Sequence, residues 1–368
     1  MNSLLNFNDG LTPRERLWEQ LLQQNIVQGN LPPMSVDQNS VQQAWYIRVM
    51  LGFAGWLGAL FLMAFVGIGF SFVMDSAVAS FSIGVALCTC AYVLFRAVKN
   101  QDFVAQFALA VSLAGQGFIV FGLFDKFRSH DTSLYAFLLL IELFLMVCMP
   151  NFIHRFLTCL ASVCAAYLLL QQVGFVGLLH GVLALAATLL WWSPQLLRQP
   201  AFWRPIAYGL ALASLFVVGA RFASPFYWHA SEFLWVKYTW QIGASLVNLA
   251  LLLALALVLR REQVSLSSGI GVFALLGAGM LCGFSYVAPG LSSAILLICI
   301  AFSFSNRILL GVGLLALLSF LSHYYYQLQV SLLYKSIVLL SLAVLLLAVR
   351  YLLYRLLPQV DQLTEEGV

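Results

Sequence analysis

The chain is 368 residues long, 62% hydrophobic and 9% charged, with a formal net charge of +4 at pH 7. Soluble domains carry about 25% charged residues, so this composition excludes one and points to a polytopic membrane protein. The apolar runs are continuous and not alternating, which selects helices over a closed barrel, and the small positive charge reads as membrane topology and not as a nucleic-acid footprint.

Residues 1–47 form the polar N-terminal segment, expected in the cytoplasm. Thr12, Pro13 and Glu15 have the pattern of a helix start, and Leu17, Trp18, Leu21, Leu22 and Ile26 then recur on one helical face. Gly29 to Pro33 stops that helix. The expectation is a short amphipathic helix resting on the membrane or docking on the bundle. The first apolar run begins near Met50, behind Arg14, Glu15, Arg16, Glu19 and Asp37, a layout unlike that of a cleavable signal peptide.

About twelve transmembrane helices fit the remainder, at 49–73, 77–95, 103–124, 132–149, 152–171, 174–192, 205–221, 239–259, 266–287, 290–305, 307–323 and 332–355. The count falls to eleven or ten if a short segment among the later ones is re-entrant. A cytoplasmic connector, 193–205, with prolines 194, 200 and 205, separates a first half (48–192) from a second (206–357), and 358–368 is a cytoplasmic tail. The symmetry is one of count, since no repeat relates the halves. With both termini cytoplasmic, thirteen of the eighteen Lys and Arg residues fall on the cytoplasmic side, including Arg155, Arg204, Arg260, Arg261, Arg307 and Arg350.

All seven cysteines lie inside apolar runs, where thiols act as small buried hydrophobes, and no set of four ligands implies a metal. No phosphate loop, Gly-x-Ser-x-Gly elbow or His-Glu-x-x-His pair occurs, so no cofactor and no catalytic residue is expected. Glu142 is the one acidic residue deep in an apolar run; left charged there it costs at least about 2.5 kcal/mol, so it is either a satisfied structural acid or a proton-coupling group. His180 is its basic counterpart, read as a packing residue or a proton relay. Gln116 and Asn248 read as polar glue between helices. Glycines 52, 55 and 58, 174, 177 and 181, and 277, 279 and 283 read as close helix contacts. The connector from Phe222 to Tyr238 carries Trp228 and Trp235 among other aromatics, which suits an interfacial belt or a helix lying flat on the outer leaflet, with a ligand-binding lid as the alternative.

The C-terminal hairpin is the densest in unusual residues. Asn306 to Gly311 opens one apolar run, Tyr324, Tyr325 and Tyr326 follow it, then Leu332 to Ser336 with Lys335, and the next run ends at Arg350. Charge counting places the tyrosines and Lys335 at the outer interface, where three consecutive tyrosines on a helix cannot all face lipid. This arrangement, with Arg307, Gly311, Ser336 and Arg350, resembles the C-terminal end of a family of bacterial inner-membrane proteins defined only as a domain of unknown function. Leu17 to Leu21 and Gly29 to Pro33 are similar to the family's opening segment. The resemblance implies a multi-span protein of the cytoplasmic membrane, often encoded beside a small membrane-anchored protein bearing Gly-Asp-Tyr-x-x-Leu-x-Tyr.

Two functional readings follow. One is a non-enzymatic membrane module that assembles with a small anchored partner through Tyr324, Tyr325, Tyr326, Lys335, Trp228 and Trp235. The other is a proton-coupled secondary transporter using Glu142, with or without His180.

Overall fold

Among the described residues, several of the polar turns between apolar runs carry a residue that caps the helix that follows. Asp131 accepts a hydrogen bond from the Ser133 N–H at 2.8 Å, Asn151 from His154 at 3.0 Å, Ser268 from Gly271 at 3.1 Å and Asn306 from Leu309 at 3.1 Å. These contacts satisfy N–H groups that the first helical turn leaves without a partner. The computed structural model describes residues 76–97, 102–127, 131–223, 235–265, 267–286 and 290–327, with isolated residues on either side of that region. Among the described residues there is no strand, and the chain is an all-helical membrane protein.

The helices in chain order are α1 (Ala77–Ala97), α2 (Asp102–Lys126), α3 (Thr132–Cys148), α4 (Phe152–Gln172), α5 (Val176–Trp191) and the single turn α6 (Gln195–Arg198). They continue as α7 (Pro200–Ala223), α8 (Trp235–Arg261), α9 (Gly269–Phe284), α10 (Leu291–Ser303) and α11 (Arg307–Gln327). Among the described residues six are long and apolar enough to cross a membrane: α1, α2, α4, α7, α8 and α11. The apolar helices α3, α5, α9 and α10 are shorter, and α10, with 13 residues, rises only about 20 Å against a hydrocarbon core of about 30 Å. The first and last expected spans, 49–73 and 332–355, lie outside the described residues apart from isolated helical positions.

Three boundaries differ from the hydropathy reading. Tyr324, Tyr325 and Tyr326 form the last turn of α11 and are not in a connecting turn. Trp235 is the first residue of α8, so that helix takes in the end of the Phe222 to Tyr238 connector. Helix α7 starts at Pro200, which places Arg204 in a helix and shortens the 193–205 connector to one turn. The reason is common to all three, since hydropathy marks membrane depth whereas backbone hydrogen bonding decides where a helix stops.

The chain divides into two compact units, 1–53 and 54–368. In the first, Trp18, Glu19, Leu21, Leu22 and Gln23 are helical, with Trp18, Leu21 and Leu22 half-buried and Glu19 and Gln23 exposed. In the second, one core joins α1 to α4, with Leu134, Leu138 and Leu145 on one stripe of α3. The largest core gathers Ala184 and Trp191 of α5, Ala211 of α7, Ala250 of α8, Leu297 of α10 and Phe320 of α11. Helix α5 thus packs with helices that follow the connector, so both expected halves share one core.

Pro205 lies inside α7, where proline removes the N–H that the carbonyl four residues earlier would accept. That carbonyl, of Ala201, receives the Nη1 of Arg155 from α4 at 3.0 Å instead. Arg155 also donates to the Met146 carbonyl at 3.3 Å and lies 4.7 Å from the Phe202 ring, binding the ends of α3, α4 and α7 together.

Candidate functional site

Glu142 sits on the buried stripe of α3 and is 6% exposed. Its Oε2 is buried with no hydrogen-bond partner among the described residues. The thiols of Cys88 and Cys164 lie within range of its charge. A hollow of about 390 Å³ opens beside α1 and α3, lined by Phe81, Tyr92 and Phe144 among other apolar groups, but Glu142 does not line it. Among the described residues no ion pair reaches the carboxyl.

His180 lies where α5 crosses α8 at very short range. A Cβ at Gly243 would stand 2.1 Å from the Gly177 carbonyl oxygen and 2.4 Å from His180 Cε1, and one at Gly181 2.3 Å from the Gly243 oxygen. The glycines let the backbones touch. His180 is buried, its ring stacks on Trp240 at 5.3 Å, and its Nδ1 has no partner among the described residues. The Arg221 guanidinium lies 4.5 Å from the same Trp240 ring and within charge range of Tyr324. Of the three tyrosines, Tyr324 packs on the main core, Tyr325 is half-buried and Tyr326 is 79% exposed. Glycines 277, 279 and 283 correct their expected role: no neighbour lies within 4 Å of a Cβ there, so they open no helix contact among the described residues.

His154, passed over in the sequence, is fully buried in the first turn of α4. Its Nε2 lies 2.7 Å from Ser112 Oγ and 3.0 Å from Gln116 Nε2, while Nδ1 is buried without a partner among the described residues. Two contacts on one ring nitrogen mean either that Nε2 accepts and the proton sits on Nδ1, or that Nε2 donates and the Gln116 amide is turned. The available signal was Asn151, a cap residue that fixes the start of α4 and so puts His154 in its first turn. Gln116 is thus a partner of His154, and Asn248 donates to the Cys282 carbonyl at 3.1 Å.

A broad cleft lies at the end of the bundle that carries Arg155. Helix α10 closes with hydrogen bonds from Phe304 to Ile300 and from Asn306 to Ala301, and Ser305 takes φ 50° to reverse the chain. Asn306 then caps α11 and donates its amide to the Tyr208 hydroxyl. Helix α8 ends nearby at Arg260 and Arg261, and Arg261 donates to the Ser303 carbonyl at 2.8 Å. Trp191, Tyr208 and Phe304 form an aromatic base, with ring centroids 5.3 and 5.4 Å apart from that of Trp191. The resulting cleft has a volume of about 1010 Å³ and is lined by Arg204, Arg260, Arg261 and Arg307. No acidic side chain lines it among the described residues. The indole N–H of Trp191, itself a lining residue, is buried without a partner among the described residues.

In the sequence these arginines read as topology markers. The signal available was Arg307, a cation placed at the first residue of a helix, where the positive end of the dipole favours an anion. Gly311 lies on α11 with nothing near a Cβ, Ser336 is helical and exposed, Trp235 is exposed at the start of α8, and Trp228, Lys335 and Arg350 lie outside the described residues. Among the described residues no group of three His, Cys, Asp or Glu is placed to hold a metal.

The family model of a domain of unknown function, DUF4401, matches residues 44–356. No curated protein and no solved structure matches the chain. The matched residues include the hairpin motifs from Asn306 to Arg350 and leave out the opening motif at 17–33.

Proposed function

Because the chain belongs to the DUF4401 family, a domain of unknown function, we propose from its own geometry that it is a non-enzymatic membrane module that acts by binding an anionic ligand. The observation that carries this is the cleft of four arginines, drawn from α7, α8 and α11 around an aromatic base with no acidic lining among the described residues. Like charges held together repel, and a cation at the start of α11 opposes the helix dipole; an anion relieves both. The arginine cluster also supports an orientation with this end on the cytoplasmic side of the membrane. Affinity purification in mild detergent, with mass analysis of bound species, tests the reading. Wild-type protein should retain an anionic species that Arg260→Gln with Arg307→Gln releases; equal content in both would overturn it.

A second reading concerns the opposite end. Trp235, Tyr238, Tyr286 and Tyr326 are exposed there, which supports assembly with a small membrane-anchored protein. The same purification should recover that partner, and substitution of Trp235 and Tyr326 by Ser should release it. The alternative of proton-coupled transport through Glu142 draws no support from the cavities, since neither the hollow beside α3 nor the cleft includes that residue.

A further inference from the structure

Resting on the binding reading above, we infer that the cleft's ligand is a phosphate-bearing lipid, its head group held by Arg204, Arg260 and Arg307 and its acyl chains laid over Leu197 and Ile308. Guanidinium forks match phosphate oxygens in pairs, which makes arginine the side chain suited to such a group. Three further observations specify the site. The α11 N-terminus opens at the cleft, where its first amides favour an anion. Trp191 adds a buried donor without a partner among the described residues. Arg204, Arg260 and Arg307 make no salt bridge or side-chain hydrogen bond to another described residue, so their donors are open to a ligand.

Size and rim decide between a soluble anion and a lipid. The cleft, at about 1010 Å³, is far larger than a lone phosphate needs and matches the upper range of roughly 300–1,000 Å³ for organic ligands. Leu197 and Ile308 line it and are 80% and 75% exposed, so cationic walls meet bare apolar surface. At head-group depth that surface meets acyl chains, so an amphiphile joins it to the arginines whereas a soluble phosphate makes no contact with it. The cleft also lies at the ends of span-length helices α7, α8 and α11, the depth at which head groups sit.

The test uses full-length, delipidated protein in a neutral detergent, titrated by calorimetry with dioctanoyl phosphatidylglycerol, dioctanoyl phosphatidylcholine and glycerol 3-phosphate. The anionic lipid should bind about tenfold or more tighter than either of the others, one decade for the added head-group charge or chain contact. The triple change Arg204→Gln, Arg260→Gln and Arg307→Gln should weaken it about 100-fold, while Arg198→Gln, exposed and outside the cleft, should leave it unchanged. Should the triple variant lose its helical circular dichroism, Arg307→Gln alone carries the test with about a tenfold loss. If glycerol 3-phosphate binds as tightly as the lipid and with the same dependence on the arginines, the cleft remains an anion site and the lipid assignment falls. If no anionic probe binds, or binding ignores the arginines, both fall.

Discussion

Arg155 stands in for the hydrogen bond that Pro205 takes away, and a double-mutant cycle measures how much that substitution contributes. Arg155→Ala leaves the Ala201 carbonyl without the Nη1 donor 3.0 Å away, loses the longer contact to Met146 and removes the guanidinium from Phe202. A hydrogen bond from a charged donor contributes about 1.5–3 kcal/mol, and the solvent-facing position of this one keeps it at the lower end. The ring contact adds about 0.5–1 kcal/mol, so the single change should cost about 2 kcal/mol. Pro205→Ala restores an N–H aimed at the same carbonyl, at the expense of a small void where the fully buried proline ring packed. On that background Arg155→Ala should cost about 1 kcal/mol less, a coupling well above the 0.3–0.5 kcal/mol within which independent sites add. Reversible unfolding in mixed micelles, followed by circular dichroism, reads all four corners of the cycle. Strict additivity would refute the reasoning, because it would mean that Arg155 and the missing amide do not serve the same carbonyl.

The space around two glycines, Gly243 at the α5–α8 crossing and Gly277 on α9, predicts opposite signs for the same substitution. Gly243→Ala, with its Cβ 2.1 Å from the Gly177 oxygen, forces the helices apart and should cost about 1–3 kcal/mol, whereas Gly277→Ala, with nothing within 4 Å, should be neutral or stabilise by up to about 1 kcal/mol; thermal unfolding in detergent checks both. Glu142→Met replaces a buried carboxyl whose Oε2 has no partner among the described residues with an apolar chain of similar size. It should leave stability unchanged or raised by about 1 kcal/mol, and a loss of several would mean that the acid is satisfied by a group outside the described residues. Asn306→Ala removes both the α11 cap and the Tyr208 contact and should lower stability by about 1–2 kcal/mol in the same unfolding assay, with Asn306→Asp retaining the cap. His154→Phe should cost more than His154→Gln, since only the latter keeps a partner for Ser112 and Gln116; equal costs would show that the polar contacts contribute nothing.

The helical class and the order of the helices were legible in the chain, because hydrophobic length is a one-dimensional property and the lipid imposes it run by run. The second to eleventh apolar runs coincide, within a few residues, with α1 to α5 and α7 to α11. The caps were legible in part for the same reason, since Asp131, Asn151, Ser268 and Asn306 act within three residues of themselves. Glu142 and His180 stood out as ionisable groups in apolar runs, but whether a cavity or a partner meets them depends on which helices pack there. Tertiary packing decided the rest. Arg155 and Ala201 are 46 positions apart, so no local pattern shows that one replaces the amide missing at Pro205. The four arginines of the cleft come from residues 204, 260, 261 and 307, each of which alone looks like a topology marker. Only the packing of α7, α8 and α11 around Trp191 turns them into one concave, basic surface, because the distances between helices are set by the side chains and glycines that meet between them.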